Sequence, residues 1–249
     1  MSPVADGKAR TVVAGIDGSR WSTAAACWAA DEAAGRGVPL QLIFVSESAD
    51  DAQSRAAAET ALNRAATAVR ETGRTVTIEC DVRSGDPARI LVAASSAAEL
   101  ICVGEMSKAH ATGQRMGSVS AAVSHNAHCP VAVIRDNPHR RSAGILVQID
   151  QSPYSTNVLD IAVAEARLRR VPLTVVSGRP SALLERELAI YRKRYPEIEL
   201  HTVADRVDLA DYVEHRHASI QLVVIGQRTD LSRQHPACSV LICDRHPRL

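Results

Sequence analysis

Two stretches of this chain carry residue types that could hold a phosphorylated ligand. Gly104-Glu105-Met106-Ser107 opens a loop that closes on Gly117-Ser118, and Gly113 lies between. Phosphate oxygens need backbone N–H groups unobstructed by side chains, together with the positive end of a helix. Gly104, Gly113, Gly117 and the Ser118 hydroxyl could supply these. Far upstream, Gly15-Ile16-Asp17-Gly18-Ser19 follows a run of apolar residues and offers a carboxylate at a strand end. Asp17-Gly18-Ser19 reads equally well as a turn and helix cap.

These residues need elements to position them. Short apolar runs alternate with helical patterns: strands over 12–16, 40–45, 76–82, 100–103 and 131–134, and helices over 23–35, 51–71, from Pro87, and over 117–126. Ser22 is expected to cap the first helix, with Gly35 and Gly37 ending it, and Asp86 to cap the third with Pro87 at its first position. Ala58, Leu62, Ala65 and Val69 form one stripe of the second helix. Strands alternating with helices imply a parallel sheet covered on both faces, because parallel strands need crossovers. In such sheets ligands gather beyond the carboxyl ends of the strands, where strand order reverses. Asp17 and Gly104 both fall there.

The pattern occurs twice. Val12 to Asp17 is matched by Ile145 to Asp150, and Val38-Pro39-Leu40 by Val171-Pro172-Leu173, at one constant offset. Asp86 precedes Gly104 at the same spacing as Asp208 precedes Gly226. The chain therefore reads as two tandem five-stranded α/β domains, Rossmann-like, over 1–137 and 138–249, with the linker near 136–143. The copies differ in one place: the stretch between Gly104 and Cys129 is much longer than the one between Gly226 and Cys238. The missing residues are the Gly-Ser pair and its helix, so the second domain should lack the last helix. Asp150 there reads as a cap or a remnant.

The spacing Gly104-x2-Ser107-x9-Gly117-Ser118 resembles the nucleotide loop of the universal stress protein family, in which a glycine stands where this chain has Ser107. Cys129-Pro130-Val131 matches that family's usual entry to its last strand. The resemblance implies an ATP-binding protein with a regulatory or signalling role in stress response, its nucleotide held by the N-terminal domain alone. Asp17 would hydrogen-bond the adenosine sugar or base, the Val45 backbone would meet adenine, and Gly104, Ser107, Gly117, Ser118, Val119 and, more weakly, Ser120 would wrap the phosphates, with Gly15 also among the nucleotide-binding residues. AMP or cyclic AMP shares the adenosine, and Mg²⁺ could accompany ATP. Serine at 107 would cost about 1 kcal/mol if that position needs positive φ. The resemblance further implies pairing through the fifth strands, here within one chain as a pseudo-dimer, and a homodimer of such chains.

Two alternatives compete with that function. A slow ATP hydrolase finds little support: there is no Gly-x4-Gly-Lys-Ser/Thr loop, and Glu105 is the loop's lone carboxylate. A nucleotide-free interaction module would result if the Ser107 exchange marked a decayed site.

Composition narrows the classes further. The 249 residues are 46% hydrophobic and only 3% aromatic, so Ala, Val, Leu and Ile must fill the cores. A net charge of +1 gives no field to gather nucleic acid or an anionic membrane. No apolar stretch reaches the roughly 20 residues of a membrane span, and the N-terminus lacks a signal peptide's hydrophobic segment, so a cytoplasmic protein is expected. The six cysteines read as reduced core residues. His235, Cys238, Cys243 and His246 have metal-ligand types, but Cys238 and Cys243 are an odd separation apart and in a strand point to opposite faces. His125 and His128 read as surface or cap residues, and Trp21 and Trp28 as core or partner-facing.

Overall fold

The computed structural model of the chain describes residues 10–46, 52–106, 117–135, 143–149, 155–177, 181–203, 209–216, 219–226 and 238–243. It divides into two compact units, Met1–Asp136 and Asn137–Leu249. Both are α/β, each with a five-stranded parallel sheet.

Unit 1 runs β1 (Thr11–Ile16), α1 (Arg20–Arg36), β2 (Leu40–Ser46), α2 (Ala52–Glu71), β3 (Ile78–Ser84), α3 (Pro87–Ser95), β4 (Ala98–Gly104), α4 (Ser118–Asn126) and β5 (Val131–Ile134). Its strands lie in the order β3-β2-β1-β4-β5, all parallel. The order reverses between β1 and β4, which opens the crevice where the two candidate stretches end. Unit 2 runs β6 (Gly144–Ile149), α5 (Ser155–Arg169), β7 (Leu173–Ser177), α6 (Ser181–Arg194), β8 (Leu200–Val203), α7 (Leu209–Arg216), β9 (Ile220–Gly226) and β10 (Ser239–Cys243), in the order β8-β7-β6-β9-β10. Among the described residues no helix stands between β9 and β10.

The repeat extends to registers. Val12 pairs with Leu40 as Ile145 pairs with Leu173, and the shift that breaks the β1–β4 ladder after Thr11 recurs in the β6–β9 ladder after Gly144. It extends to a buried charge as well. Glu32 on α1 is fully buried and pairs with Arg36 at 2.8 Å, and at the matching positions of α5 buried Glu165 pairs with Arg169.

Small residues set the layer spacing. Ala25, Ala26, Ala29, Ala30 and Ala33 make the buried face of α1. The first turn of α1 comes closest to the sheet at Gly104: a Cβ there would lie 2.7 Å from the Trp21 carbonyl carbon and 2.9 Å from the Ser22 nitrogen. Helix backbone thus rests on strand backbone, and only glycine fits between.

Several expectations need adjustment. α1 begins at Arg20 with Ser19 as its N-cap, upstream of the expected cap at Ser22. The Ser19 Oγ accepts from the Ser22 N–H at 3.1 Å, while the Ser22 hydroxyl donates back to the Ser19 carbonyl at 3.0 Å. Both serines are cap-like in type, and the upstream one does the capping. Gly37, not Gly35, ends the helix, at φ 67° with its N–H on the carbonyls of Ala33 and Ala34. β3 starts at Ile78 rather than Val76 and is largely exposed, as befits the last strand of a sheet. That explains Cys80, which is exposed and not in the core. Cys102, Cys129, Cys238 and Cys243 are buried and Cys27 half-buried, all six being free thiols. His235 and His246 lie outside the described residues, as do Asp150, Asp208 and Gly113. Asp86 caps α3 as expected, accepting from the Arg89 N–H at 2.8 Å, with Pro87 at its start.

Two substitutions test this packing. Gly104→Ala should destabilise unit 1 by about 2–3 kcal/mol, because neither backbone can move away cheaply. Arg36→Ala should cost about 2–3 kcal/mol by removing the guanidinium that stands 2.8 Å from the fully buried Glu32 carboxylate. Both are read as lower urea midpoints, and a shift below about 0.5 kcal/mol in either would contradict the packing described.

Candidate functional site

The end of β1 is a turn built from its own side chains. Asp17 Oδ1 accepts from the Ser19 N–H at 2.9 Å, closing an Asx-turn, and Gly18 stands at φ 79°. A side chain at Gly18 would be strained by that φ and would press on Ala61 of α2 at 3.3 Å. The Asp17 N–H reaches the Ser22 hydroxyl at 3.3 Å, which hinges the strand end onto the first turn of α1. The Asp17 carboxylate is thereby held, half-buried, at the carboxyl end of the strand beside the switch point.

Across the crevice, the end of β4 is bound to its neighbours through backbone groups. The Glu105 N–H donates to the Ile134 carbonyl of β5 at 3.0 Å. The Gly117 N–H donates to the Glu105 carbonyl at 2.9 Å, and the buried Ser120 hydroxyl donates to the Gly104 carbonyl at 2.6 Å. These two bonds fix the start of α4 against residues 104–105. Gly117 is its N-cap at φ −64°, and the first intrahelical bond runs from the Ala121 N–H to the Gly117 carbonyl. The N–H groups of Ser118, Val119 and Ser120 precede that bond and have no acceptor within the helix. They project from its positive end, beside the carboxyl end of β4.

Three roles assigned from sequence change accordingly. Sequence has Gly117 offering its N–H to phosphate, and that N–H is bonded to Glu105. The donors at the loop's end are instead those of residues 118–120. Sequence has Gly104 leaving N–H groups unobstructed, yet its missing side chain is explained by the α1 backbone. Gly15 likewise makes room for α3, since a Cβ there would meet Leu91 Cδ1 at 2.9 Å. Val45, near the end of β2, packs partly buried against the core cluster of Val13, Ile43, Leu91, Val103 and Val123, which Val119 also joins. Ser107 lies outside the described residues. Asp17, Val45, Gly104 and the start of α4 are therefore brought to the same end of one parallel sheet. Ser118 is exposed, while Ser120 is buried and spends its hydroxyl on Gly104.

Sequence reasoning missed one pair. The Glu105 carboxylate, 10% exposed, pairs with the Arg135 guanidinium, which is 31% exposed. Burial pushes the Glu105 carboxyl above the usual carboxylate range, and the hydrogen bond and charge of Arg135 oppose that rise. The two residues are far apart in sequence, but both directly follow strands that pair side by side, which is the signal that could have found them.

The corresponding end of unit 2 is built differently. Gln148 stands where unit 1 has Gly15. A Cβ on Gly226 would make an ordinary contact with Val158 Cγ2 at 3.7 Å, in place of the backbone clash at Gly104. A helix start of the α4 kind is absent among the described residues.

No described helix is long and apolar enough to cross a membrane, and no group of three or more His, Cys, Asp or Glu side chains among the described residues could hold a metal ion. A model of the universal stress protein family matches residues 8–135. Universal stress protein Rv2028c of Mycobacterium tuberculosis is 38% identical over 242 residues, covering 88% of this chain and 86% of its own length. Universal stress protein Rv2624c of the same organism is 34% identical over 263 residues, covering 95% and 97%. Among solved structures, a universal stress protein from Archaeoglobus fulgidus shares the fold with a TM-score of 0.74 at 18% identity, over 94% of this chain and 96% of that one. With the family model over half its length and relatives of this identity along most of it, the chain belongs to the universal stress protein family.

Proposed function

We propose that unit 1 binds one adenine nucleotide at the carboxyl ends of β1, β2 and β4, and that occupancy serves regulation rather than turnover. The observation that supports this most is the meeting, across the β1–β4 crevice, of a fixed carboxylate at Asp17 with the N–H groups that open α4. In this reading Asp17 hydrogen-bonds the ribose or base and the Val45 backbone meets adenine. Residues 118–120 and Ser107 meet the phosphates, and Gly15, Gly104 and Gly117 give the close approach that the site needs. ATP suits the spacing from Gly104 to Gly117, with Mg²⁺ able to accompany its phosphates. AMP and cyclic AMP would use the same adenosine contacts. Stress response and a cytoplasmic setting belong to the same reading.

A nucleotide-free interaction module is the second reading, favoured by the internal bonds already made by Asp17 Oδ1 and the Gly117 N–H. Titration of the full chain with ATP separates the two. The native protein should bind saturably, and Gly117→Val should bind at least about tenfold more weakly with little change in melting temperature, a loss of about 1.4 kcal/mol in affinity. Equal binding by both proteins, or none by either, would favour the interaction module.

A further inference from the structure

Unit 2 carries a cavity of about 410 Å³ at the amino ends of β6 and β7, beside the last turn of α7. The carboxyl ends of the strands, where unit 1 forms its candidate site, take no part in it. Leu146 and Ile220, both buried members of the unit 2 core cluster, give it an apolar floor, and Pro172 and the Tyr212 ring add apolar walls. Its charge comes from Arg216, whose guanidinium carbon stands 5.8 Å from the centre of the Tyr212 ring. Four residues separate the two, so ring and cation rise from one side of α7. The Ser219 hydroxyl donates to the Arg216 carbonyl at 2.9 Å and ties down that last turn. The lining holds one cation and no carboxylate, while Asp211 and Glu214 of α7 are exposed and outside it.

The internal repeat shows what is particular to this place. Gly144 pairs with Ile220 as Thr11 pairs with Ala98, and Ile145 with Leu173 as Val12 with Leu40, so equivalent positions in the two units are fixed. On the sheet side unit 1 has Arg10 and Gln41 where unit 2 has the smaller Ala143 and Thr174. On the helix side unit 1 has Ile90 and Ala94, which pack on its core, where unit 2 has Tyr212 and Arg216. Unit 2 has lost bulk from its strands and gained a phenol and a cation on the helix beside the space. Neither exchange improves a core.

We propose that this cavity is a second ligand site, independent of the nucleotide reading of unit 1, and that it takes a small monocarboxylic acid with an apolar body. A guanidinium is planar and always charged, and it matches one carboxylate with two parallel hydrogen bonds. A phosphate would bring further negative charge toward the last carbonyls of α7, the negative end of that helix, with no second cation in the lining to offset it. Leu146, Ile220 and the Tyr212 ring give the apolar body a surface to cover. The volume falls within the roughly 300–1,000 Å³ of small-molecule sites. Residues 136–142 and 217–218, next in sequence to the lining, form no part of the site; they contain Arg140, Arg141 and Asp136, so no net negative charge adjoins it in sequence.

The probe is benzoate, titrated into the full chain and followed by amide NMR, with benzamide as its uncharged counterpart and phenyl phosphate as the more highly charged one. Benzoate should bind saturably with Kd below about 1 mM, shifting the signals of Gly144, Thr174, Tyr212 and Arg216 and leaving those of residues 117–120 in place. Arg216→Gln should weaken benzoate at least about tenfold and benzamide less than about threefold. Thr174→Gln, which installs the residue of unit 1, should weaken both by filling the space. Arg216 is exposed, so its exchange leaves the core intact and decides the matter even if Thr174→Gln melts too low to titrate. The absence of saturable shifts at the four named residues would overturn the proposal, as would benzoate shifts centred on residues 117–120. Equal weakening of benzoate and benzamide in Arg216→Gln would contradict the charge pairing. Phenyl phosphate binding about tenfold tighter than benzoate would contradict the assignment to carboxylates.

Discussion

Unit 1 is organised around the approach of two backbones at Gly104. The first turn of α1 lies against the carboxyl end of β4 with no side chain between them, and a single methyl group there would lie within 3 Å of Trp21 and Ser22 atoms. From that seam the rest follows in short steps. α1 can come so near only if it starts at Ser19, and that start is fixed by the Asx-turn at Asp17 and the positive φ of Gly18. The Gly104 carbonyl, turned the other way, receives the Ser120 hydroxyl and so locates α4. One glycine therefore positions both walls of the crevice, the carboxylate on one side and the helix start on the other.

The internal duplication sorts these features by purpose. The buried Glu–Arg pairs of α1 and α5, the matched registers and the repeated ladder shift occur in both units, which marks them as requirements of the fold. The tight seam at Gly104, the close contact of Gly15 with Leu91 of α3 and the Glu105–Arg135 pair belong to unit 1. Gly226 stands in loose contact with α5, and Gln148 replaces the glycine at the strand end. A feature that one copy lacks while keeping the same strand order is not required by the fold class, so the second unit acts as an internal control for the first.

Much of this was legible in the chain. The strand and helix order, the Asp86–Pro87 helix start, the extent of β5 and the division into two modules follow from hydrophobic period and from the constant offset between the copies, both of which are local or repeated signals. What escaped depends on contacts between distant residues. Ser19 and Ser22 have the same capping chemistry, and only the seam at Gly104 chooses between them. Cys80 belongs to an apolar-looking run whose exposure is set by its strand standing last in the sheet. The Gly117 N–H reads as available because its acceptor, the Glu105 carbonyl, lies at the far side of the loop. The Glu105–Arg135 pair needed β4 and β5 to be recognised as neighbours. Sequence thus brings the candidate residues to one end of one sheet, while the bonds that turn each backbone group toward or away from the crevice are set by the fold.

The proposed nucleotide site is one per chain, in the unit that has the tight seam at Gly104 and the helix start of α4. Native mass spectrometry of the full chain at saturating ATP counts that directly. A single adenine nucleotide should be bound per polypeptide. Two per polypeptide, or none at concentrations well above those at which ATP saturates ordinary binding sites, would contradict it.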